Sequence, residues 1–215
     1  NGWLALLPDR EGGEPLPLSA MDLKFDTLDL LGRRYQDVRL QGSNRNGLFR
    51  TQVNGRELNG VLNYRPAGAL SARVSAQFKQ LTIPDAVIPS GDAADAMTMT
   101  AVEFPQLEVT VDDFRLQARA LGRLEVLAHG TPQGLLIDNL QLTHPDSVFR
   151  MNGLWHEQGI SETRAELNLQ VLDAGKFLSR FGYPDTLKRG SAGVVGNVSW
   201  AGSPADFSLV TLAGQ

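Results

Sequence analysis

Hydrophobic and polar residues alternate with a period of two along most of the chain. Met21, Leu23 and Phe25 alternate with charged residues, and a longer alternating run extends from Leu70 to Phe78. Because successive side chains of a strand point to opposite faces of its sheet, this pattern predicts strands that bury one face. The same alternation predicts further strands near residues 107–111, 124–128, 149–155, 165–171 and 192–200.

Short clusters of turn-forming residues separate these segments. Asn46-Gly47, Asn54-Gly55, Pro132-Gln133-Gly134 and Pro145-Asp146 are of this kind, and such residues favour tight connections between neighbouring strands. We therefore predict an all-β fold, an elongated and curved antiparallel sheet that forms a repeating, taco-like groove with one apolar face.

One segment near residues 173–182 has helical spacing instead. Asp173 can cap a turn that contains Phe177, Leu178 and Phe181, and Gly182 can end it. We predict a single short α-helix here, which either packs over an open end of the sheet or contacts a lipid head group at the groove.

The chain also resembles itself when it is shifted by about 90 residues. Leu31-Gly32-Arg33 matches Leu121-Gly122-Arg123, and the segment 58–62 matches 151–155. We predict a first β-repeat unit at 1–83, a flexible linker or long loop at 84–103, and a second unit at 104–215 that includes the helix. Units that cannot close on themselves bury apolar surface by stacking, which predicts an elongated body.

Composition excludes several classes of function. The 20 basic and 24 acidic residues are interspersed, with a net charge of -4, so we expect no nucleic-acid partner. No apolar run reaches the roughly 18 residues of a membrane span, and no signal peptide is recognisable. The chain begins in mid-pattern at Asn1, which we interpret as a piece of a longer protein whose membrane anchor lies elsewhere.

Candidate catalytic and metal-binding residues are sparse. His129, His144 and His156 are widely separated and there is no cysteine, so a metal site is not supported. Asp112 and Asp113 are adjacent, and adjacent strand residues point to opposite faces unless a bulge intervenes. We predict no enzymatic activity, no metal and no cofactor, because a β-scaffold enzyme would need clustered carboxylates in a cleft.

Longer motifs resemble one known family. The segments 104–114, 121–126, 172–184 and 196–207 are similar to the C-terminal region of the YhdP family, within the AsmA-like superfamily that includes TamB. The resemblance implies a periplasmic segment of an inner-membrane-anchored protein of a Gram-negative bacterium. It also implies a groove for phospholipid transport between the inner and outer membranes, supporting lipid homeostasis of the outer membrane.

The predicted partners are phospholipids, neighbouring repeats of the parent chain and envelope proteins at either membrane. Candidate groove residues are the apolar members of the alternating segments: Leu23, Phe25, Leu70, Val74, Phe78, Leu107, Val109, Val111, Leu124, Val126, Phe149, Met151, Leu167, Leu169 and Val171. The same residues would also form the core of an ordinary sandwich. A structural or interaction scaffold of the envelope, without bound lipid, is therefore the alternative function.

Overall fold

A computed structural model describes residues 20–30, 32–68, 71–85, 104–156, 161–202, 204 and 213–214. These residues form one sheet of twelve strands whose spatial order is the chain order, together with one helix. The first strands are β1 (Ala20–Leu30), β2 (Arg33–Arg45), β3 (Leu48–Asn54), β4 (Leu58–Arg65), β5 (Arg73–Ile83) and β6 (Gln106–Leu116). The remaining elements are β7 (Arg119–Thr131), β8 (Gly134–His144), β9 (Ser147–His156), β10 (Glu162–Val171), α1 (Ala174–Arg180), β11 (Ala192–Ala201) and β12 (Ala213–Gly214).

The predicted all-β architecture with one short helix is confirmed. Strand pairs are antiparallel along the sheet, apart from β5 and β6, which run parallel. Strands β1–β5 and β6–β10 each form a run of five antiparallel strands. In a run of five antiparallel strands, the fifth strand points in the same direction as the first. If the second run repeats the orientation of the first, its first strand must therefore lie parallel to the last strand of the first run.

The connection between the two runs spans 84–105, which is long enough for a parallel crossover. The linker predicted at 84–103 lies outside the described residues, apart from Pro84 and Asp85. The division into two repeat units stays a prediction. Both runs belong to one continuous sheet, and we refer to β1–β5 as the first unit and β6–β10 as the second.

Bulges bend the strands. The register shifts between Asn59 and Gly60 on β4, between Val111 and Phe114 on β6, and between Ile137 and Leu140 on β8. A bulge places one extra residue in a strand, which increases its local twist and bends it. The curvature of the sheet follows from these positions.

The turns between strands define two edges of the curved sheet. Rim 1 carries the β2–β3 turn at Asn46 and Gly47 and the β7–β8 turn. Rim 2 carries the β3–β4 turn, the β6–β7 turn and the β8–β9 turn at Pro145 and Asp146. Asn46 and Gly47 have φ values of 52° and 76°, which a two-residue hairpin turn requires.

Helix α1 follows β10 and has the predicted caps. The Asp173 carboxylate accepts a hydrogen bond from the Lys176 backbone N–H at 3.1 Å. At the other end Gly182 has a φ of 93°, and the Gly182 and Tyr183 N–H groups donate to the carbonyls of Ser179 and Leu178. This pattern satisfies the last carbonyls of the helix. Among the described residues, no helix has both the length and the hydropathy needed to span a bilayer.

Candidate functional site: the apolar inner face

Strand register aligns apolar side chains into three rows that cross the sheet on one face, which we call the inner face. Directly paired residues of neighbouring strands lie on the same face. The central row comprises Leu23, Leu40, Val53, Gly60, Phe78, Val111, Leu124, Leu142, Phe149, Leu169 and Val194. None of these side chains carries a polar atom.

Two further rows, both on the rim 1 side of the central row, are almost as apolar. On the rim 1 side of the central row lie Met21, Gly42, Thr51, Leu62, Ala76, Val109, Val126, Leu140, Met151, Leu167 and Gly196. The next row comprises Asn44, Phe49, Tyr64, Val74, Leu107, Ala128, Ile137, Gly153, Ala165 and Val198. The apolar surface therefore continues through both units, including the parallel junction.

The structure brings the candidate groove residues together on this face. Leu70 lies outside the described residues. The other candidates are members of the three rows or, for Phe25 and Val171, lie beside the central row towards rim 2. Most are half-buried, Val111 is fully buried, and Leu23, on strand β1, is 39% exposed.

No second layer covers the inner face within the described part of the chain. The twelve strands form one sheet, and each strand contacts chiefly its neighbours in that sheet. An ordinary sandwich core would require a second sheet stacked about 10 Å away.

The sequence pattern missed some apolar residues of the inner face. Leu135, Ile137, Leu140 and Leu142 of β8 line the inner face, but the bulge between Ile137 and Leu140 breaks their alternation. Val38 of β2 was missed for a related reason, because Asp37 has a φ of 52° and interrupts the period. A search that allowed one extra residue per strand would have found both groups.

The outer face is polar, and many of its charges are paired. Arg39 contacts Asp22 at 2.6 Å, Arg123 contacts Asp112 at 2.9 Å, and Arg164 contacts Glu162 at 2.9 Å. These side chains are largely exposed, so solvent screening leaves each pair only a small contribution to stability. Their role is to keep this side of the sheet hydrated.

Asp112 and Asp113 do sit at a bulge, between Val111 and Phe114. Their carboxylates nevertheless diverge, since Asp112 contacts Arg123 at 2.9 Å and Asp113 contacts Arg115 at 3.1 Å. They do not form a shared acid–base site. Within the described residues, no three His, Asp or Glu side chains come together in a way that could hold a metal ion.

At rim 2 of the second unit, helix α1 is fastened by a buried ion pair. Arg180 Nη2 lies 2.6 Å from Asp146 Oδ1 and donates to Ser147 Oγ at 2.9 Å, and Arg180 Nη1 donates to the Ala120 carbonyl. The guanidinium also lies 5.3 Å from the centre of the Phe177 ring. The two side chains are 11% and 5% exposed, so this contact links the helix to the β8–β9 turn and to β7.

The pKa of Asp146 reflects these contacts. Burial alone would raise it, but hydrogen bonds from Arg180 and Ser147, with the positive charge of Arg180, hold the pKa of the carboxyl below its ordinary value. His144 Nδ1 lies 2.9 Å from the same carboxylate oxygen. Asp146 is therefore ionised while the helix is docked.

At rim 1 of the second unit, two aromatic rings contact each other. The rings of Phe104, just before β6, and Trp155, on β9, pack edge to face at 5.5 Å between centres. Trp155 Nε1 donates to Ser161 Oγ at 2.9 Å. Since three strand spacings amount to about 14 Å, the contact reaches across β7 and β8.

Comparison with known families identifies the family of this chain. The model of the YhdP family, described as YhdP protein, matches residues 1–215. The chain belongs to the YhdP family. Membership implies an AsmA-like protein of the cell envelope. Searches among curated proteins and among solved structures gave no significant match.

Proposed function

We propose that the inner face of this YhdP-family chain holds the acyl chains of phospholipids during their transport between the inner and outer membranes. The parent protein would act in the periplasm, anchored to the inner membrane, and would support lipid homeostasis of the outer membrane. The observation that carries this proposal is the set of three apolar rows, which cross both units and have no covering layer among the described residues.

The physical chemistry of the face fits a passage better than a selective pocket. Eleven strands at a spacing of about 4.8 Å give rows roughly 50 Å long. Burial of acyl chains would stabilise a bound lipid by about 0.8 kcal/mol per methylene group. Because the rows offer almost no hydrogen-bonding groups, successive positions are similar in energy, and a chain can move between them.

One observation favours the alternative of a lipid-free scaffold. In the first unit Tyr35, Val38 and Val53 are buried against one another, and Phe25, Leu28, Leu40, Leu58 and Phe78 pack on them. Part of the apolar surface is thus filled by the protein itself. This cluster lies towards rim 2, and the rows on the rim 1 side remain outside it.

A comparison of matched variants tests the proposal. Val109→Asp and Leu167→Asp place a charge on the inner face, whereas Thr110→Asp and Asn168→Asp place the same charge at the next position, on the outer face. The chain would be purified from a bacterial periplasm, and its bound lipid measured by native mass spectrometry and extraction. We expect phospholipid with the unmodified chain and the outer-face variants, and little with folded inner-face variants.

Circular dichroism and thermal unfolding would confirm that each variant is folded. A folded, unmodified chain that carries no lipid and takes up none from vesicles would favour the scaffold. Equal lipid loss in the inner-face and outer-face variants would also contradict the proposal, because it would assign lipid binding to net charge and not to the apolar rows.

A further inference from the structure

Rim 1 of the first unit carries an arginine rim, which we define as Arg45, Arg50, Arg65 and Arg73. Arg45 ends β2, Arg50 is near the start of β3, Arg65 ends β4 and Arg73 begins β5. Register places Arg65 directly opposite Arg73, and all four side chains are exposed. Strand spacing puts the four within about 14 Å along the rim.

Most of this charge is uncompensated. Arg73 Nη2 contacts Glu108 Oε2 at 2.5 Å, but Arg45, Arg50 and Arg65 form no ion pair with any residue that the structure describes. Arginines elsewhere on the sheet, such as Arg34 and Arg39, are paired with carboxylates. The arginine rim is therefore a local concentration of positive charge on a chain whose net charge is -4.

Aromatic side chains lie directly behind the arginines. Phe49 precedes Arg50 and Tyr64 precedes Arg65, so each ring points to the inner face where the neighbouring guanidinium points outward. The two rings are 6.1 Å apart, and Tyr64 is 37% exposed. Rings on the apolar side and cations on the aqueous side are the arrangement that proteins use at the boundary between acyl chains and head groups.

We propose that the arginine rim binds the phosphate groups of phospholipids whose acyl chains lie on the adjoining inner face. The inference rests on the proposed function and adds where the head group is held. A guanidinium donates two parallel hydrogen bonds to phosphate oxygens and keeps its charge at any physiological pH. Lipids with an anionic phosphate head should therefore bind better than neutral lipids with the same acyl chains.

The test compares two triple variants that lose the same charge. The first is Arg45→Gln with Arg50→Gln and Arg65→Gln. The control is Lys24→Gln with Lys79→Gln and Arg119→Gln, which are also exposed, form no ion pair with the described residues, and lie away from the arginine rim. The probes are fluorescent phosphatidylglycerol and a fluorescent diacylglycerol with identical acyl chains, each presented in micelles of an uncharged detergent that contains no phosphate.

At low ionic strength we expect the first variant to bind phosphatidylglycerol roughly 100-fold more weakly, from about fivefold for each charge removed. Its binding of diacylglycerol should not change, and the control should retain the affinity of the unmodified chain for both probes. Inorganic phosphate at millimolar concentration should not displace the lipid. Displacement would assign the arginines to free phosphate and would overturn the inference.

Other outcomes separate the two proposals. If the unmodified chain binds both probes and the first variant keeps its affinity for phosphatidylglycerol, the arginine rim plays no part, although the inner face does bind lipid. Equal weakening in the control variant would attribute the effect to overall charge and would also overturn the inference. If the unmodified chain binds neither probe, the proposed function fails, and this inference fails with it.

Discussion

The two five-strand units are stabilised at rim 2 by different contacts. In the first unit these contacts come from within the sheet, where Val38 and Val53 are buried together and Phe78 packs on them. In the second unit they come from outside the five strands, since helix α1 docks through Arg180 and Asp146. One unit therefore uses an apolar cluster and the other a buried ion pair at the same edge.

Strand length explains the difference. The hairpin of β3 (Leu48–Asn54) and β4 (Leu58–Arg65) is shorter than that of β8 (Gly134–His144) and β9 (Ser147–His156). The short hairpin turns early, and its turn folds onto β2, where the Arg56 N–H donates to the Gln36 carbonyl. The long hairpin extends further at rim 2 and presents Asp146 in its turn, where Arg180 of the helix contacts it.

The largest expected effect comes from removing the ion pair of the second unit. Arg180→Met leaves the Asp146 carboxylate buried without its partner, which costs about 3–5 kcal/mol in comparable sites. The control is Arg34→Met, which breaks an exposed pair with Asp29 and should change the free energy of unfolding very little, because solvent screens that pair. Denaturant unfolding measures both, and hydrogen exchange should show the loss in α1 and β8–β9 but not in β2–β3. If both variants lost the same free energy of unfolding, the pair between Arg180 and Asp146 would not be the contact that stabilises the second unit at rim 2.

A smaller effect is expected from the apolar cluster of the first unit. A side chain at Gly60 would collide with the Gln77 carbonyl oxygen and the Phe78 ring, so Gly60→Val should destabilise by about 1–3 kcal/mol. Gly196→Val is the control, because a Cβ atom placed there has no neighbouring atom within 4 Å. Thermal unfolding compares the two, and α1 should remain docked in both. If Gly60→Val did not change the unfolding temperature, the packing of Phe78 on the apolar cluster would not contribute to stability.

Acid should loosen the docking of helix α1 in the second unit. The pKa of Asp146 is lowered in the folded protein, so its contribution is fully present above the ordinary value of 3.8 and is lost as the pH falls through the folded value. Hydrogen exchange of the α1 amides as a function of pH measures this. The pKa of Asp173 is also lowered, chiefly by the Lys176 N–H. Asp146→Asn separates the contribution of Asp146 to this pH dependence from that of Asp173. If the pH profile of that variant were unchanged, Asp146 would be excluded as the cause.

The smallest expected effect concerns the start of α1. Asp173→Ala removes the acceptor for the Lys176 N–H, which should lower the thermal unfolding midpoint by less than Arg180→Met does. Asp173→Asn keeps an acceptor and should recover most of that loss. Circular dichroism during thermal unfolding measures both variants. If the cap mattered as much as the Arg180 pair, the helix would be held mainly by its own caps and not by docking.

Much of the fold could be predicted from local patterns. The alternating segments correspond to strands, Asn46-Gly47 forms a tight turn, and Asp173 and Gly182 delimit the helix. These features depend on residues within a few positions of one another. The candidate groove residues that the structure describes share one face for the same reason, since a period of two assigns sides within each strand.

The sequence by itself determined that this chain forms strands with one apolar face, because alternation and turn chemistry act over a few residues. Only the tertiary structure decided that β5 and β6 pair in parallel, that bulges carry Asp112 and Asp113 to separate arginines, and that Arg180 reaches Asp146, 34 residues away. These outcomes depend on competition between distant partners for the same edge or charge. A one-dimensional period carries no record of that competition.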